Sequence, residues 1–279
     1  MNINKFNFFI LVLKKISWAL RRHPLLYYTR FWLLSKNSTI NRLEKECYNR
    51  ENTKGIIPSF FYEINKKIFE HERPESDLDK AIYIALWLRK HIKGGKGLSL
   101  ASDEALKAMI NGKGGVCSDM SQIFNNFCVI NDIKVREWGI TIMPFDKKYG
   151  GHATNEIFSK ELGKWVLIDI SKCILFYYNN KQEPLSLFEV YTSNLSHKYY
   201  SFYKKIESDT QIKNYYYNKN ATPFLISKYQ NSVYDKYLRK NNSKYPIFFV
   251  HFYIYLIGKS YKYKFPLTDY RKMFKASFS

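Results

Sequence analysis

The sequence has few of the residues that build disulfide scaffolds, zinc sites or fibrous repeats. Its 279 residues include only 12 Gly, 8 Pro and 4 Cys, and no two cysteines form a C-x-x-C pair. This composition excludes collagen-like and Pro/Gly-rich classes, and it indicates neither a disulfide framework nor a metal site. No apolar run reaches the ~18 residues that an ordinary transmembrane helix needs. Hydrophobic residues nevertheless make up 46% of the chain, enough for a substantial core.

Acidic residues are scarce relative to basic ones, and the imbalance lies at the two ends of the chain. The net charge is +21, of which residues 1–100 carry +10, residues 101–172 carry none and residues 173–279 carry +11. A strongly positive surface attracts nucleic acid, anionic lipid or acidic polymers. The alternative is composition bias, because Lys, Asn, Tyr, Phe and Ile are all abundant.

The N-terminal segment is the most one-sided part of the chain. Residues 1–43 hold eight basic residues and no acidic one, and the apolar residues from Phe6 to Leu20 recur at helical spacing. Such a helix lies on an anionic membrane surface or packs its apolar face on the core. No small-residue cleavage site follows Phe6–Leu13, so we expect no cleaved signal peptide. We therefore expect a cytoplasmic protein, peripheral at the inner membrane face if the helix binds lipid.

The middle of the chain changes from helical to strand-like periodicity. Helices are predicted from Leu78 to Ile92, after a cap at Ser102, and from Cys117 onward. Two glycine-rich stretches, Lys93–Gly97 and Asn111–Gly115, are predicted to be flexible breaks. Three strands are predicted, at Lys134–Met143, His152–Phe158 and Lys164–Ile170.

Helices followed by antiparallel strands predict an α+β fold. We divide the chain into a basic, mainly helical region (1–76), a core (77–182) and a basic Tyr/Lys-rich region packed on that core (183–279). The last region has no clean periodicity, so its elements are left unassigned.

Three short segments carry residues that suit thiol chemistry. Cys117 opens a predicted helix in GKGGVCSD, His152 opens a strand in GHATNEI, and Asp169 ends a strand in GKWVLID. A helix N-terminus lowers the pKa of a thiol, an imidazole can accept and return its proton, and a carboxylate can orient the imidazole. With a four-residue loop at Ser159–Leu162, His152 would face Asp169 across two strands with Cβ atoms ~5 Å apart.

The segment from Leu78 to Ser171, about a third of the chain, resembles the transglutaminase-like superfamily of papain-like thiol enzymes, in its bacterial-type form. The family blocks G-x-C, GI-x-x-R, H-A and G-x-W-V-x-x-D read here as GGVCSD, DIKVREWG, GHATNE and GKWVLID. The resemblance implies a papain-like core with the cysteine helix packed on an antiparallel sheet, between basic N- and C-terminal extensions. It implies Cys117 as nucleophile, His152 as general base and acid, and Asp169 as the orienting carboxylate. No acidic cluster resembles the calcium sites of animal tissue transglutaminases, and we expect no metal or cofactor.

Four residues near these blocks are expected to bind substrate: Gly115, Ser118, Thr154 and Trp165. Thr154 stands where the family often has an aromatic residue, which would reshape the wall of the site. Trp165 has a second interpretation, as a core residue under its strand. The cysteines outside the motif, Cys47, Cys128 and Cys173, are expected to pack in the core.

The leading functional hypothesis is acyl transfer or amide hydrolysis through a thioester on the cysteine. The substrate would be a peptide, an amide or a glycan conjugate, and the basic flanks favour an acidic peptide or a surface polysaccharide bearing carboxylates. The alternative is a catalytically silent module that binds an anionic polymer, a membrane surface through residues 1–43, or a protein partner. Nucleic-acid binding is not expected, because no recognition motif is present. The oligomeric state stays open.

Overall fold

The computed structural model describes residues 24–144, 151–179, 183–193, 196–203, 209–241, 245 and 247–275. The predicted amphipathic segment before Pro24 and the polar loop 145–150 lie outside the described residues. The described strands are β1 (Ser35–Asn37), β2 (Lys134–Ile142), β3 (His152–Ser159), β4 (Lys164–Asp169), β5 (Ile174–Tyr178), β6 (His197–Ser201), β7 (Ala221–Ser227) and β8 (Lys262–Phe265).

The helices occur in groups before, between and after the strands. They are α1 (Pro24–Leu34), α2 (Ile40–Leu43), α3 (Ser59–Ile68), α4 (Asp77–His91), α5 (Ser102–Ile110), α6 (Cys117–Ile130), α7 (Leu187–Thr192), α8 (Asp209–Tyr216), α9 (Asn231–Asn241), α10 (Ile247–Leu256) and α11 (Lys272–Lys275). Helices and a largely antiparallel sheet confirm the α+β class expected from the sequence. Among the described residues, no helix is long and apolar enough to cross a bilayer.

The described strands form one sheet in the order β1-β8-β7-β2-β3-β4-β5-β6. All neighbours are antiparallel except β1 and β8, which run parallel. Strand β7 pairs with β2 through Trp138↔Leu225 and its neighbours. The region after residue 182 therefore supplies strands beside the centre of the sheet as well as helices over it.

Each face of the sheet carries its own apolar layer. On one face α3 to α6 pack against inward residues such as Val135, Ile157 and Ile168. On the other face α7 and α8 cover Trp138 and Phe176. Alternation of side chains along each strand separates the two layers, and burying a large apolar side chain contributes roughly 1.5–3 kcal/mol.

Two local predictions need correction. Ser102 does not cap α5; the N-cap residue is Ala101, and the Ser102 hydroxyl donates instead to Asp235 over 2.6 Å. The breaks Lys93–Gly97 and Asn111–Gly115 are tied to each other by backbone hydrogen bonds, from Gly95 N–H to Gly115 carbonyl and back from Gly115 N–H to Lys96 carbonyl, each 2.8 Å. The two stretches are therefore hydrogen-bonded to each other rather than flexible, and this pairing orients the start of α6.

Candidate active site

Two glycines position the start of the cysteine helix. Gly114 and Gly115 have φ of +114° and +118°, which residues with a side chain rarely adopt. A Cβ on Gly114 would lie 2.8 Å from the Lys96 carbonyl oxygen, and one on Gly115 would lie 2.4 Å from Cε of Met109. This close approach lets the chain turn sharply into α6, so that Cys117 is its first residue.

Asp119 links this turn to the neighbouring loop through hydrogen bonds. Its Oδ2 accepts hydrogen bonds from the backbone N–H of Val116 at 2.9 Å and of Leu98 at 3.3 Å. A carboxylate in the first turn of a helix is also favoured by the helix dipole. Asp119 thereby holds the loop around Leu98 beside the N-terminus of α6.

Cys117 and His152 form the first contact of the site. The half-buried thiol shares a hydrogen bond with the imidazole and accepts one from the Ala153 N–H. Burial opposes ionisation of the thiol, but the hydrogen bond and charge of His152 outweigh burial and lower the pKa of Cys117. Burial likewise opposes protonation of His152, yet Asp169 and Cys117 raise its pKa to about 10. Together these shifts favour a thiolate–imidazolium pair at neutral pH.

Asp169 holds the other side of the imidazole ring. Its Oδ2 lies 2.7 Å from Nε2 of His152, which leaves Nδ1 to face the sulfur. Oδ1 accepts from the Ser171 hydroxyl at 2.9 Å and from the Lys172 N–H at 3.1 Å. Burial alone would raise the pKa of Asp169, but His152, Ser171 and Tyr216 lower it. The carboxylate therefore stays charged and orients the ring.

Two tyrosines of α8 also contact the site, and neither was predicted from the sequence. Tyr216 donates its hydroxyl to Oδ2 of Asp169 over 2.9 Å. The Tyr215 ring stacks on His152, with centroids 4.9 Å apart and planes 19° from parallel. Both lie in the region without clean periodicity. In that region the sequence shows only that tyrosine is abundant, and this abundance does not indicate which tyrosine lies in the site.

The predicted register between β3 and β4 is wrong by two residues. Ser159 pairs with Lys164, so the loop is 160–163 rather than Ser159–Leu162. Gly163, at φ +63°, closes this loop in a conformation that favours glycine. A two-residue shift keeps every side chain on its face, so His152 and Asp169 meet as diagonal neighbours instead of directly opposed ones.

A cavity of about 650 Å³ opens beside the sulfur. Cys117, Ser118 and His152 line it. Four tyrosines from the C-terminal part of the chain also line it: Tyr229, Tyr234, Tyr261 and Tyr263. The thiol is thus next to a space large enough for a substrate, with mainly apolar and aromatic walls.

A comparison with known protein families finds one match. Residues 63–170 match the model of the transglutaminase-like superfamily. This segment is a transglutaminase-like domain. It has a thiol-enzyme fold, and the match contains the cysteine, the histidine and the aspartate of the site.

One solved structure, from Cytophaga hutchinsonii and described as a "putative cysteine protease", is also similar. The identity is 19%, the alignment covers 48% of each chain and the TM-score is 0.31. The chain therefore spans about half the length of that protein. None of the curated proteins matches the sequence significantly.

The four expected substrate residues lie in different surroundings in the transglutaminase-like domain. Ser118 lines the cavity, whereas Gly115 packs against Met109. Thr154 is buried and donates to the Ile168 carbonyl at 3.0 Å.

Trp165 packs away from the thiol. The Arg136 guanidinium lies 3.7 Å from the centre of its ring, and Phe158 meets it edge to face. Of the four expected residues, the structure brings only Ser118 to the cavity wall.

Glu137 is a further cavity residue, and it was not predicted from the sequence. It is buried, and Asn125 donates to its Oε2 over 2.8 Å. Asn155 in turn donates to Oδ1 of Asn125 over 2.7 Å. Burial is the main cause that raises the pKa of Glu137 to about 8, and the nearby thiol of Cys117 adds to it. A neutral carboxyl beside the sulfur does not compete with formation of the thiolate.

No group of three or more metal-ligating side chains occurs within the described parts of the chain.

Proposed function

We propose that the transglutaminase-like domain catalyses acyl transfer or amide hydrolysis through Cys117, His152 and Asp169. The observation that carries the proposal is the continuous contact of the three side chains at the edge of a cavity, with the pKa of the thiol lowered. A thiolate is the form of cysteine that attacks carbonyl carbon.

In the first half-reaction the Cys117 thiolate attacks the carbonyl carbon of an amide. A C–S bond forms, and the carbonyl oxygen takes the negative charge. The backbone N–H of Cys117, at the start of α6, is one donor for that oxyanion. The His152 imidazolium then gives its proton to the leaving nitrogen as the C–N bond breaks. The products are a free amine and a thioester on Cys117.

In the second half-reaction water or an amine attacks the thioester. Neutral His152 takes a proton from the attacking group, the C–S bond breaks, and the thiolate is restored with an imidazolium beside it. Water gives a carboxylic acid, and an amine gives a new amide. Asp169 keeps the imidazole in the orientation that both proton transfers require.

The flanking charge supports an acidic peptide or a glycan conjugate bearing carboxylates as the substrate. The aromatic wall of the cavity suits a bulky or ring-containing group near the reacting carbonyl, because aromatic side chains supply large contact areas. The positive regions would then raise the local concentration of the substrate rather than hold its reacting atoms.

Alkylation of the full-length protein with iodoacetamide from pH 6 to 9 tests the proposal. We expect Cys117 to react ahead of Cys47, Cys128 and Cys173, with rapid labelling already well below the ordinary thiol pKa. Replacing His152→Ala should move the pH profile of Cys117 upward, because the thiolate loses its charged partner. His71→Ala, which removes an exposed histidine elsewhere, is the matched control.

Mass spectrometry of the four cysteine peptides reads out the labelling rates. Equal, slow labelling of all four thiols would contradict an activated nucleophile and favour the catalytically silent module. A trapped thioester on Cys117 after incubation with acidic peptides or glycan amides would extend the result from reactivity to acyl transfer.

A further inference from the structure

Helix α10 exposes most of its apolar surface. All ten of its residues, IFFVHFYIYL, are apolar or aromatic except His251. Only Ile247, Val250 and Ile254 are buried. Four other large side chains of this helix are exposed: Phe249 (48%), Phe252 (42%), Tyr253 (49%) and Leu256 (65%). A helix that is apolar on all sides is normally covered on all sides.

Helix α1 continues this surface. Leu34 of α1 belongs to the same buried cluster as Val250 and Ile254 of α10. A shallow groove between the two helices is lined by Leu33 and Phe252, among others. Trp32 and Leu33 are 42% and 37% exposed. We call the six exposed residues Trp32, Leu33, Phe249, Phe252, Tyr253 and Leu256 the α1/α10 face.

Both helices of this face come from stretches without acidic residues. Residues 1–43, which include α1, have none, and neither do residues 236–268, which include α10. The second stretch carries seven basic residues: Lys236, Arg239, Lys240, Lys244, Lys259, Lys262 and Lys264. The fold therefore brings together the two longest acid-free stretches of the chain, and of their basic residues Arg239 and Lys264 pair with Asp103 and Glu46.

Lysines lie at both ends of α10. Lys240 borders the surface pocket formed with Phe249 and Tyr253. At the other end, the Lys262 ammonium lies 5.0 Å from the centre of the Tyr255 ring. Burial lowers the pKa of Lys262, and the charges of Lys36 and Lys228 lower it further, so three positive groups converge there.

We propose that the α1/α10 face docks on the surface of an anionic lipid bilayer. The apolar side chains would enter the boundary between headgroups and acyl chains, where Trp and Tyr are favoured. The lysines at the helix ends would keep their charges among anionic headgroups while their stems lie on the apolar surface. A second copy of this chain is a poorer occupant, because pairing the face with itself would bring these lysines together.

Co-sedimentation of the full-length protein with vesicles tests the proposal. Vesicles of phosphatidylcholine alone are compared with vesicles containing about 30% phosphatidylglycerol. We expect binding to the anionic vesicles, and weaker binding at 0.5 M NaCl, because salt screens the attraction of lysines to headgroups.

The triple variant Phe249→Gln/Phe252→Gln/Leu256→Gln removes the apolar contact from exposed positions. Its vesicle affinity should fall by at least about tenfold. The matched control is Ile40→Gln/Ile56→Gln/Tyr200→Gln, which removes three exposed apolar side chains outside the face and should bind as the original chain does. Circular dichroism and the alkylation rate of Cys117 test whether both variants keep their fold.

Three outcomes would overturn the proposal. One is no binding of the full chain to anionic vesicles, and another is unchanged binding by the triple variant. The third is a dimer in analytical ultracentrifugation that dissociates in the triple variant, together with no vesicle binding. That last result would assign the face to a second copy of the chain.

Discussion

The Tyr216 hydroxyl lies 2.9 Å from Oδ2 of Asp169, although 47 positions separate the two residues in sequence. This hydrogen bond links α8, which follows the transglutaminase-like segment, to the carboxylate that orients His152. The same oxygen also contacts Nε2 of His152, so one atom of Asp169 joins the two side chains. The site thus depends on a part of the chain that the family motif does not include.

Replacing Tyr216→Phe should destabilise the protein by about 1.5–3 kcal/mol at neutral pH, because a buried carboxylate loses a donor. The labelling rate of Cys117 should fall several-fold as the imidazole becomes less firmly held. The pKa of Asp169 is lowered in the fold, so this stabilisation is present above its unfolded pKa and is lost as pH falls through the folded pKa. Urea unfolding at pH 7 and at lower pH, with alkylation at pH 7, measures both effects.

The matched control for that substitution is Tyr217→Phe, the next residue along the chain. The Tyr217 hydroxyl donates to the His197 carbonyl at 3.1 Å and does not touch the carboxylate. A similar loss of Cys117 reactivity in both variants would mean that Tyr216 supports the fold of α8 and does not position the site.

Short-range patterns were sufficient to predict the elements that hold Cys117, His152 and Asp169. The turn Gly-Gly before a helix and the alternation along β3 and β4 are each encoded within about ten residues. The contact between His152 and Asp169 could be predicted even with the wrong loop, since strand pairing preserves the face when the register shifts by two.

The packing of elements that are far apart in sequence could not be predicted. Strand β7 contains Pro223, which argues against a central strand, yet it pairs with β2 next to the site. Glu137 looks like an outward polar residue of an alternating strand, but α6 covers it. Tyr215 and Tyr216 acquire their roles only through the packing of α8, which depends on contacts far apart in sequence.

Replacing Gly114→Ala should disrupt the turn before Cys117. Its φ of +114° suits glycine, and the new Cβ would lie 2.8 Å from the Lys96 carbonyl, a backbone atom that cannot rotate away. We expect a loss of about 2 kcal/mol or more, together with slower labelling of Cys117. The control is Gly112→Ala, where φ is +71° and no atom lies within 4 Å; there we expect about 1 kcal/mol and no change in labelling. Equal effects of the two substitutions would contradict the role given to the close approach at Lys96.

The pH dependence of stability should reveal the buried carboxyl of Glu137. Its pKa is about 8 in the fold against 4.5 for an ordinary glutamate, so between these values the folded chain holds a proton that the unfolded chain has released. Stability must therefore fall as pH rises through this window, by at most about 1.4 kcal/mol per pH unit. Glu137→Gln keeps an oxygen that can accept from Asn125 but cannot ionise, so the part of this decline that Glu137 causes should be absent in the variant.

Urea unfolding of both proteins at pH 5, 6, 7 and 8 isolates the contribution of Glu137, because the other titrating groups are common to the pair. The Glu137→Gln variant should become more stable relative to the original chain as pH rises. Glu63→Gln, at an exposed position of α3, is the matched control for the loss of a carboxylate. A difference between Glu137→Gln and the original chain that does not vary with pH would mean that the carboxyl is already ionised in the fold. Its negative charge beside Cys117 would then oppose the thiolate on which the proposed reaction depends.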